Sequence, residues 1–405
     1  MIKEKIVFKY VLCSCLLGLF TLVGCSDKLT SLEQVPHYDF KKNPDAKISD
    51  MFANLSCIQL EATEDCVVPS IRKVCDVNGT LVVLSGADEI YTFNKKSGKC
   101  LGQISSKGEG PEEYVEATDI VVDAANNIGI VDRLRGEVKF FTLKGKFVDC
   151  KRMNGEMAWM ENAEMANDGK LLLSNQLTGG MPPQKYAYTL AGFNMNEHPK
   201  LFDPFAPVKV GHYSVAFASK PMTRIGDEIH FLKFLNDTLF SYKDGIVKSI
   251  CKLATPLPLP SRETVAKQCE YSAANLVKLA YNGNFFEGFD SFYETSDLLL
   301  FVPTGCVISG CYWVDKRSGK AYISSYTNDT ERLIRGIAEG KYVPAPLGSS
   351  EDELICGMEE EIMLELFAKA VSNGENVVFS NKLKKFVKRI DKEGNPCLFI
   401  YSHKK

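Results

Sequence analysis

Residues 120–148 read IVVDAANNIGIVDRLRGEVKFFTLKGKFV. Four short runs rich in Val, Ile and Phe alternate with turns made largely of Asn, Asp, Gly and Lys, so each run has the length and boundaries of a β-strand. Strands that follow one another with only a turn between them pair as antiparallel neighbours. The stretch therefore predicts a four-stranded β-meander.

The same order of strands and turns recurs along the chain. Matching units begin near residues 71, 163, 226 and 289. A four-stranded unit that repeats at about 45 residues is typical of a β-propeller, in which stacked blades bury the faces that a single meander leaves open. We therefore predict an all-β fold, a six-bladed β-propeller. A β-sandwich with accidental regularity is the alternative.

Both ends of the expected domain carry strong strand patterns. Leu55–Leu60 lies near its start and Cys397–Tyr401 near its end. Because a propeller with an open last blade would expose unpaired strand edges, we expect these two segments to pair within the sixth blade.

Two segments break the β pattern and predict helical insertions. Ser261–Tyr281 lacks turn residues and is rich in helix formers. In the second segment, Ser350 and Glu353 have the spacing of a helix capping box, and apolar residues then recur at helical intervals as far as Gly374. We expect these helices to pack over a face or an edge of the propeller.

The N-terminus has the order of a bacterial secretory signal. Three lysines within the first nine residues precede the apolar run Val11–Val23, and a small residue then precedes Cys25. The run is shorter than the roughly 20 residues needed to span a bilayer. Leu22–Cys25 resembles a bacterial lipobox, which implies cleavage before Cys25 and lipidation of its thiol. A plain signal peptide, or an N-terminal membrane anchor with an incidental cysteine, is the alternative.

These features divide the chain of 405 residues into three parts. We predict a lipoprotein signal peptide over 1–24, a lipidated tether over 25–50 and the propeller over 51–405. The tether is a polar stretch that contains Pro36 and Pro44. Its lipid would hold the protein at the cell envelope as an outer-membrane lipoprotein, on either the surface or the periplasmic face.

Composition argues against several classes of function. The formal net charge of −3 provides no basic surface for nucleic acid. Fourteen cysteines are present, and removal of Cys13, Cys15 and Cys25 leaves eleven, an odd number, so at least one thiol is free or pairs with another molecule. No CxxC pair occurs and the five histidines are scattered, so we predict no metal site and no cofactor.

One loop resembles that of a known family. Residues 108–114 read GEGPEEY, which is similar to the GxGPGEY loop of the six-bladed β-propeller lipoproteins common in Bacteroidota. Residues 120–148 are similar to an NHL repeat, and NPCL at 395–398 resembles that family's last strand. Members of the family are largely uncharacterised, so the resemblance implies a fold and a location but no catalytic residue.

The same loop supplies the candidate binding residues. Gly108, Gly110, Pro111, Glu113 and Tyr114 could shape a binding surface on the loop face, or they could simply connect two blades. Neighbouring glutamates could flank a sugar, as the paired carboxylates of a glycosidase do.

A second resemblance concerns modification. Asp237-Thr238-Leu239 has the Asp-Thr-apolar form at which Bacteroidota attach O-linked glycans to exported proteins. This resemblance makes Thr238 a candidate O-glycosylation site. An ordinary turn that enters a strand is the alternative.

Catalytic motifs are missing from the sequence. It contains no nucleophile elbow, no HExxH and no P-loop. We therefore favour a lipid-anchored binding module that presents propeller loops to a glycan, peptide or protein partner without catalysis. One alternative is a hydrolase or lyase acting on a glycan, which requires ionisable side chains that converge in the central channel. The other is a structural subunit of an envelope complex, which requires a large exposed apolar patch.

Overall fold

The architecture comes from a computed structural model of the chain. The predicted signal peptide, Cys25 and the first part of the tether lie outside the residues that it describes. The described residues are 35–43, 45–104, 107–153, 162–174, 186–187, 191–193, 200–201, 208–209, 220–233, 236–269, 273–286, 288–303, 310–325 and 329–403.

The N-terminal part of the domain contains three short strands and then two antiparallel meanders in chain order. These two meanders are the repeats predicted from residues 71 and 120. The strands are β1 (His37–Asp39), β2 (Lys41–Lys42), β3 (Asn54–Gln59), β4 (Ile71–Val77), β5 (Thr80–Ser85), β6 (Ile90–Asn94), β7 (Cys100–Gln103), β8 (Asp119–Val122), β9 (Ile128–Asp132), β10 (Glu137–Phe141) and β11 (Phe147–Arg152).

The rest of the chain forms four further sheets and a short two-stranded ladder. Its strands are β12 (Asn162–Met165), β13 (Leu171–Ser174), β14 (Tyr186–Ala187), β15 (Ala191–Phe193), β16 (Lys200–Leu201), β17 (Val208–Lys209), β18 (Met222–Ile225), β19 (Glu228–Leu232), β20 (Thr238–Lys243), β21 (Ile246–Ala254), β22 (Phe289–Glu294), β23 (Leu298–Pro303), β24 (Gly310–Asp315), β25 (Lys320–Ser325), β26 (Ala345–Ser349), β27 (Glu353–Met358) and β28 (Cys397–Ser402).

The first strands of successive sheets lie side by side around one axis. β4 contacts β8, β8 contacts β12, and the series continues through β18, β22 and β26 back to β4. Each sheet runs outward from this ring of inner strands, so that β7 and β11, for example, are outer strands. Radial sheets around a closed ring are the arrangement of a β-propeller. The predicted fold class is therefore confirmed, and the β-sandwich alternative is wrong.

The prediction of six complete blades is corrected to five. Five sheets, which begin with β4, β8, β18, β22 and β26, contain four strands of at least four residues each. The sheet that begins with β12 also has four strands, but its last two, β15 and β16, contain only three and two residues, so it is not a complete blade.

Strands from the two ends of the domain close the ring, as predicted. β28 pairs antiparallel with β3, with Cys397 opposite Gln59 and Ser402 opposite Asn54. The same sheet contains β26 and β27. The last blade is thus made of strands from both ends of the chain, and its β28 edge is covered.

The propeller begins earlier than the predicted boundary at residue 51. β1 and β2 pair in parallel with the outer strands β21 and β25. Phe40 and Ile48 are buried, with exposures of 3% and 1%. Residues 37–50, which were expected in the tether, therefore belong to the propeller because their apolar side chains contribute to its core.

Five α-helices lie among the described residues, and they only partly match the two predicted insertions. The first insertion is helical, but the Ser350–Glu353 capping box is wrong, because the Ser350 N–H donates to the Glu353 carbonyl at 2.9 Å in the hairpin turn between β26 and β27. The first part of the apolar pattern after this turn is the strand β27, which pairs with β28. Its later part, Glu361–Asn373, is a helix that ends before Gly374 as predicted. The helices are α1 (Arg262–Cys269), α2 (Ala273–Gly283), α3 (Thr330–Ala338), α4 (Glu361–Asn373) and α5 (Ser380–Val387), with a 3-10 turn at Ile48–Met51.

Middle strands of the blades are buried on both faces. In β5, every residue from Leu81 to Ser85 is buried, and in β10 every residue is buried. A strand between two neighbouring blades has no solvent face, which explains the continuous apolar run Leu81–Leu84 in β5. Each fully buried Leu, Val or Phe contributes about 1.5–3 kcal/mol to folding.

Candidate functional site

Ionisable side chains from several sheets meet near the axis of the propeller. They lie on the inner strands β4, β8, β12 and β22, or immediately before β18, and they interact electrostatically across the ring. We refer to this group as the axial cluster. Its members are Lys73, Cys75, Asp119, Glu164, Lys220 and Tyr293.

Lys73 joins three sheets within the cluster. Its Nζ donates to Asp119 Oδ1 and to the Ile120 carbonyl, each at 2.8 Å, and to Glu164 Oε1 at 3.4 Å. An ammonium group has three donors, so all of them are used. Burial opposes the charge, but the two carboxylates outweigh it and raise the pKa of Lys73 above its ordinary value. Lys73 is therefore a fixed, saturated cation.

The carboxylate of Asp119 is committed to the protein as well. Its Oδ1 also accepts from the Ile120 N–H at 2.7 Å, and its Oδ2 accepts from the Ala163 N–H at 2.9 Å. The side chain is only 9% exposed. Asp119 thus ties β8 to β12 in addition to neutralising Lys73.

Lys220 is held in a different way. Pro221 follows it, and a residue before proline avoids the helical region, so Lys220 is extended and forms a parallel bridge with Ser291. Its Nζ lies 4.1 Å from the centre of the Tyr293 ring, within range of cation–π attraction. The ring is fixed, since its hydroxyl donates to the Pro346 carbonyl at 2.6 Å. In the part of the chain that the structure describes, no carboxylate forms an ion pair with Lys220.

The charge of Lys220 is weakened by its surroundings. Burial, followed by repulsion from Lys73, lowers the pKa of Lys220 to about 8. Attraction from Glu164, Cys75 and Asp119 acts in the opposite direction but does not restore the ordinary value. The two axial lysines therefore differ in their bonding: carboxylates pair with the ammonium group of Lys73 but not with that of Lys220.

The cluster presents charge rather than a nucleophilic thiol or a metal centre. Burial raises the pKa of Cys75 to about 11, so its thiol stays protonated at neutral pH. Across the described ranges, no group of three or more His, Cys, Asp or Glu side chains could hold a metal ion. Nine cysteines within these ranges are free thiols. This arrangement can bind and orient a polar ligand.

The loop at 108–114 is closed on itself by Glu113. The Gly110 N–H donates to the Glu113 carboxylate at 2.9 Å, and the Glu113 N–H donates to the Gly110 carbonyl at 3.1 Å. A Cβ on Gly108 would lie 2.0 Å from Glu113 Oε2, so the close approach of this carboxylate requires glycine there. Glu112 has a negative φ, which explains why it can replace the glycine of the GxGPGEY pattern.

The loop is also anchored to the first two blades. Tyr114 is fully buried, and its hydroxyl donates to the Asp88 carbonyl at 2.9 Å. Arg135 donates to the Gly110 carbonyl at 3.2 Å. Pro111 is exposed on the surface. These contacts favour the connecting role for the loop, and a ligand-binding role for its five predicted residues stays a prediction.

Thr238 is the first residue of β20 and is buried, with 7% exposure. Its hydroxyl donates to Asp237 Oδ1 at 3.0 Å, and its N–H donates to Asn236 Oδ1 at 2.8 Å. In the folded protein this hydroxyl is covered, so a glycan would have to be attached before β20 packs. O-glycosylation at Thr238 stays a prediction.

The sequence did not single out the charged members of the axial cluster. Lys73, Asp119, Glu164 and Lys220 all lie within a few residues of the start of the first strand in their repeat. A charge at that position in an otherwise apolar strand was the available signal. The predicted loop residues are not members of this cluster.

Residues 33–402 match the model of a family described as a domain of unknown function, DUF4934. The chain belongs to that family. This match does not confirm the NHL-repeat lipoprotein family, so the predicted resemblance is confirmed only as a propeller-like fold with an exported Bacteroides neighbour.

Solved structures extend the comparison. An exported protein of Bacteroides fragilis is 19% identical with a TM-score of 0.70, covering 91% of this chain and 99% of that chain. A DUF4221 member from Bacteroides vulgatus is 10% identical with a TM-score of 0.43, covering 66% and 83%. Virginiamycin B lyase from Staphylococcus aureus is 10% identical with a TM-score of 0.37, covering 69% and 77%. The first of these likenesses shows the fold alone, and the other two support no conclusion.

No protein of the curated set matches the sequence. Within the described segments, no helix has both the length and the apolar character required to span a bilayer.

Proposed function

We propose that this protein is a lipid-anchored propeller of the cell envelope that binds a polar ligand at the axial cluster without catalysis. The observation that supports binding is the meeting of two lysines and two carboxylates from different sheets at the axis. The blades fix these groups in advance, so a ligand that bonds to them loses little free energy to reorganisation of the protein. The ligand is a glycan, a peptide or a segment of a partner protein.

Hydrogen exchange tests where the ligand binds. The mature chain that begins at Cys25 would be screened by thermal shift against glycans and peptides from the bacterial envelope, and each hit would be mapped by amide exchange. We expect slower exchange in the inner strands β4, β12 and β22, with α4 and α5 unchanged as an internal control. Protection confined to the loop at 108–114 or to the helices would contradict the axial site.

A channel enzyme is the first alternative, and one observation favours it. Lys220 has a pKa of about 8, so part of its population is a neutral amine at neutral pH. Against it, Lys73 neutralises the carboxylates and Cys75 is protonated. Release of new reducing ends or unsaturated sugars from an envelope glycan, lost on replacement of Lys220, would favour the enzyme over the binding module.

The envelope location is supported by the order of residues 1–25. Lipidation of Cys25 is tested by growth with an alkyne fatty acid followed by fluorescent tagging of the purified protein. The wild type should carry the label and Cys25→Ala should not. Labelling that survives this substitution would overturn the anchor, and protease accessibility in intact cells would distinguish the surface from the periplasmic face.

A structural subunit is the second alternative. Ile362 on α4 is 68% exposed. It borders a groove of about 520 Å³ that is also lined by Leu366, Val387 and Ile390. If the protein is held in an envelope complex through this groove, Ile362→Asp would release it into a smaller fraction on size-exclusion chromatography. An unchanged elution volume would leave the axial cluster as the better-supported interaction site.

A further inference from the structure

The two axial lysines differ in the use of their donors. Each ammonium group has three N–H donors. Those of Lys73 go to Asp119, Ile120 and Glu164. Among the residues that the structure describes, the ammonium group of Lys220 lies against the face of the Tyr293 ring and makes no hydrogen bond or ion pair. Lys220 therefore has hydrogen-bonding capacity that the described part of the protein does not use.

The carboxylates of the cluster form no ion pair with Lys220. Both oxygens of Asp119 already accept from protein donors. Glu164 lies 3.4 Å from Lys73 and makes no ion pair with Lys220. A desolvated cation is costly unless it is paired and hydrogen-bonded, so a ligand that brings its own anion would relieve this cost.

We propose that Lys220 binds a carboxylate group of the incoming ligand. This inference rests on the axial site proposed above and adds the chemical class of its ligand. The ammonium group faces the axis, because it interacts electrostatically with Lys73, Asp119 and Glu164 on the inner strands of other sheets. The Tyr293 ring covers one side of it and leaves its N–H donors to the axis.

The charge of the cluster favours a carboxylate over a phosphate. The formal charges of its two lysines and two carboxylates sum to zero. A bound monoanion therefore gives the occupied site a net charge of −1, and a bound dianion gives it −2. Glu164 and Asp119 both act on Lys220, and they would repel a doubly charged ligand more strongly. A uronic acid sugar and the C-terminus of a peptide both provide a single carboxylate.

Binding should depend on pH in a defined direction. The ammonium form of Lys220 is the one that binds, and its pKa in the free protein is about 8. Affinity should therefore fall as the pH rises above about 8, while a bound carboxylate shifts this midpoint upward. The groups that face Lys220 are Tyr293 of β22, Lys73 and Cys75 of β4, Asp119 of β8 and Glu164 of β12.

Calorimetry and NMR titration with matched probes test the proposal on the mature chain. The carboxylate probes are D-glucuronate and N-acetylglycine, which distinguish a sugar source from a peptide source. Their neutral counterparts are D-glucose and N-acetylglycinamide, and inorganic phosphate represents the dianion. The variants are Lys220→Met, which removes the charge, Lys220→Arg, which keeps it, and the control Lys151→Met, which removes a lysine 5.3 Å from the Phe140 ring at an outer strand.

We expect at least one carboxylate probe to bind more tightly than its neutral counterpart and than phosphate. A charged hydrogen bond contributes enough that Lys220→Met should weaken binding by about tenfold or more. Lys220→Arg should retain most of the affinity, and Lys151→Met all of it. If carboxylate and neutral probes bind equally well and both map to the axis, the carboxylate proposal is overturned but the axial binding site is still supported. Carboxylate binding that survives Lys220→Met, tighter binding of phosphate, or no binding of either carboxylate to the wild type would also overturn the proposal.

Discussion

Replacement of Lys73 by methionine is expected to destabilise the propeller strongly. Methionine keeps the length and apolar stem of lysine but removes its charge, which leaves Asp119 and Glu164 at 9% and 15% exposure without their cation. Removing one partner of a buried ion pair costs about 3–5 kcal/mol. The free energy of unfolding would be measured by urea denaturation with circular dichroism at pH 7.

Two control variants separate the charge from other effects. Lys41→Met removes a lysine whose ion pair with Asp39 is exposed at 76% and 62%, and it should cost less than about 1 kcal/mol. Combining Lys73→Met with Glu164→Gln removes one of the two carboxylate charges left without a cation and should recover part of the loss, because neutral replacement of a buried ion pair is often tolerated. A Lys73→Met variant within 1 kcal/mol of the wild type, or a double variant no more stable than the single one, would refute the reasoning.

Three further predictions concern stability. The depressed pKa of Lys220 means that its charged form destabilises the fold, and a fall in pKa from 10.5 to about 8 corresponds to at most about 3 kcal/mol. Lys220→Met should therefore be more stable than the wild type below pH 8 and should lose this advantage between pH 8 and 10.5. A stability difference that widens with pH in urea titrations would contradict this. Gly108→Ala should cost about 1–2 kcal/mol of stability by displacing the Glu113 carboxylate. Adding Glu113→Ala to this variant should cause little further loss. Additive losses in thermal denaturation would argue against a shared contact. His403→Phe keeps an aromatic ring but leaves the Thr295 hydroxyl without its acceptor. The substitution should therefore lower the free energy of unfolding by about 1–3 kcal/mol in urea denaturation. An unchanged denaturation midpoint would show that this buried hydrogen bond is dispensable.

The fold was largely predictable because its signals are local. Each complete blade repeats the same order of apolar runs and turns, and the strands at 55–60 and 397–401 stand out at the two ends. The errors occurred where the local pattern was ambiguous. The sheet that begins with β12 was expected to be a full blade, but its strands β15 and β16 contain only three and two residues. Ser350 and Glu353 satisfy a helix cap and a hairpin turn equally well, and the pairing of β27 with β28 decides between them.

The axial cluster was not predictable from the sequence because its contacts are distant in the chain. Lys73 is 46 residues from Asp119 and 91 residues from Glu164. Which side chain of an inner strand faces the axis depends on how each blade is placed in the ring, and no local pattern encodes that placement. The loop at 108–114 drew attention because glycines and a proline are conspicuous, yet its glycines serve packing against Glu113.

The pairing of β28 with β3 has a consequence for how the protein reaches its native state. Gln59 contacts Asp391, 332 positions later in the sequence. A chain that emerges N-terminus first must therefore keep β3 without its partner until β28 arrives, and such an unpaired strand can pair with another chain instead. Loss of β28 should be more harmful than loss of the same number of residues from 35–43, since it would leave the ring open between the first and last blades.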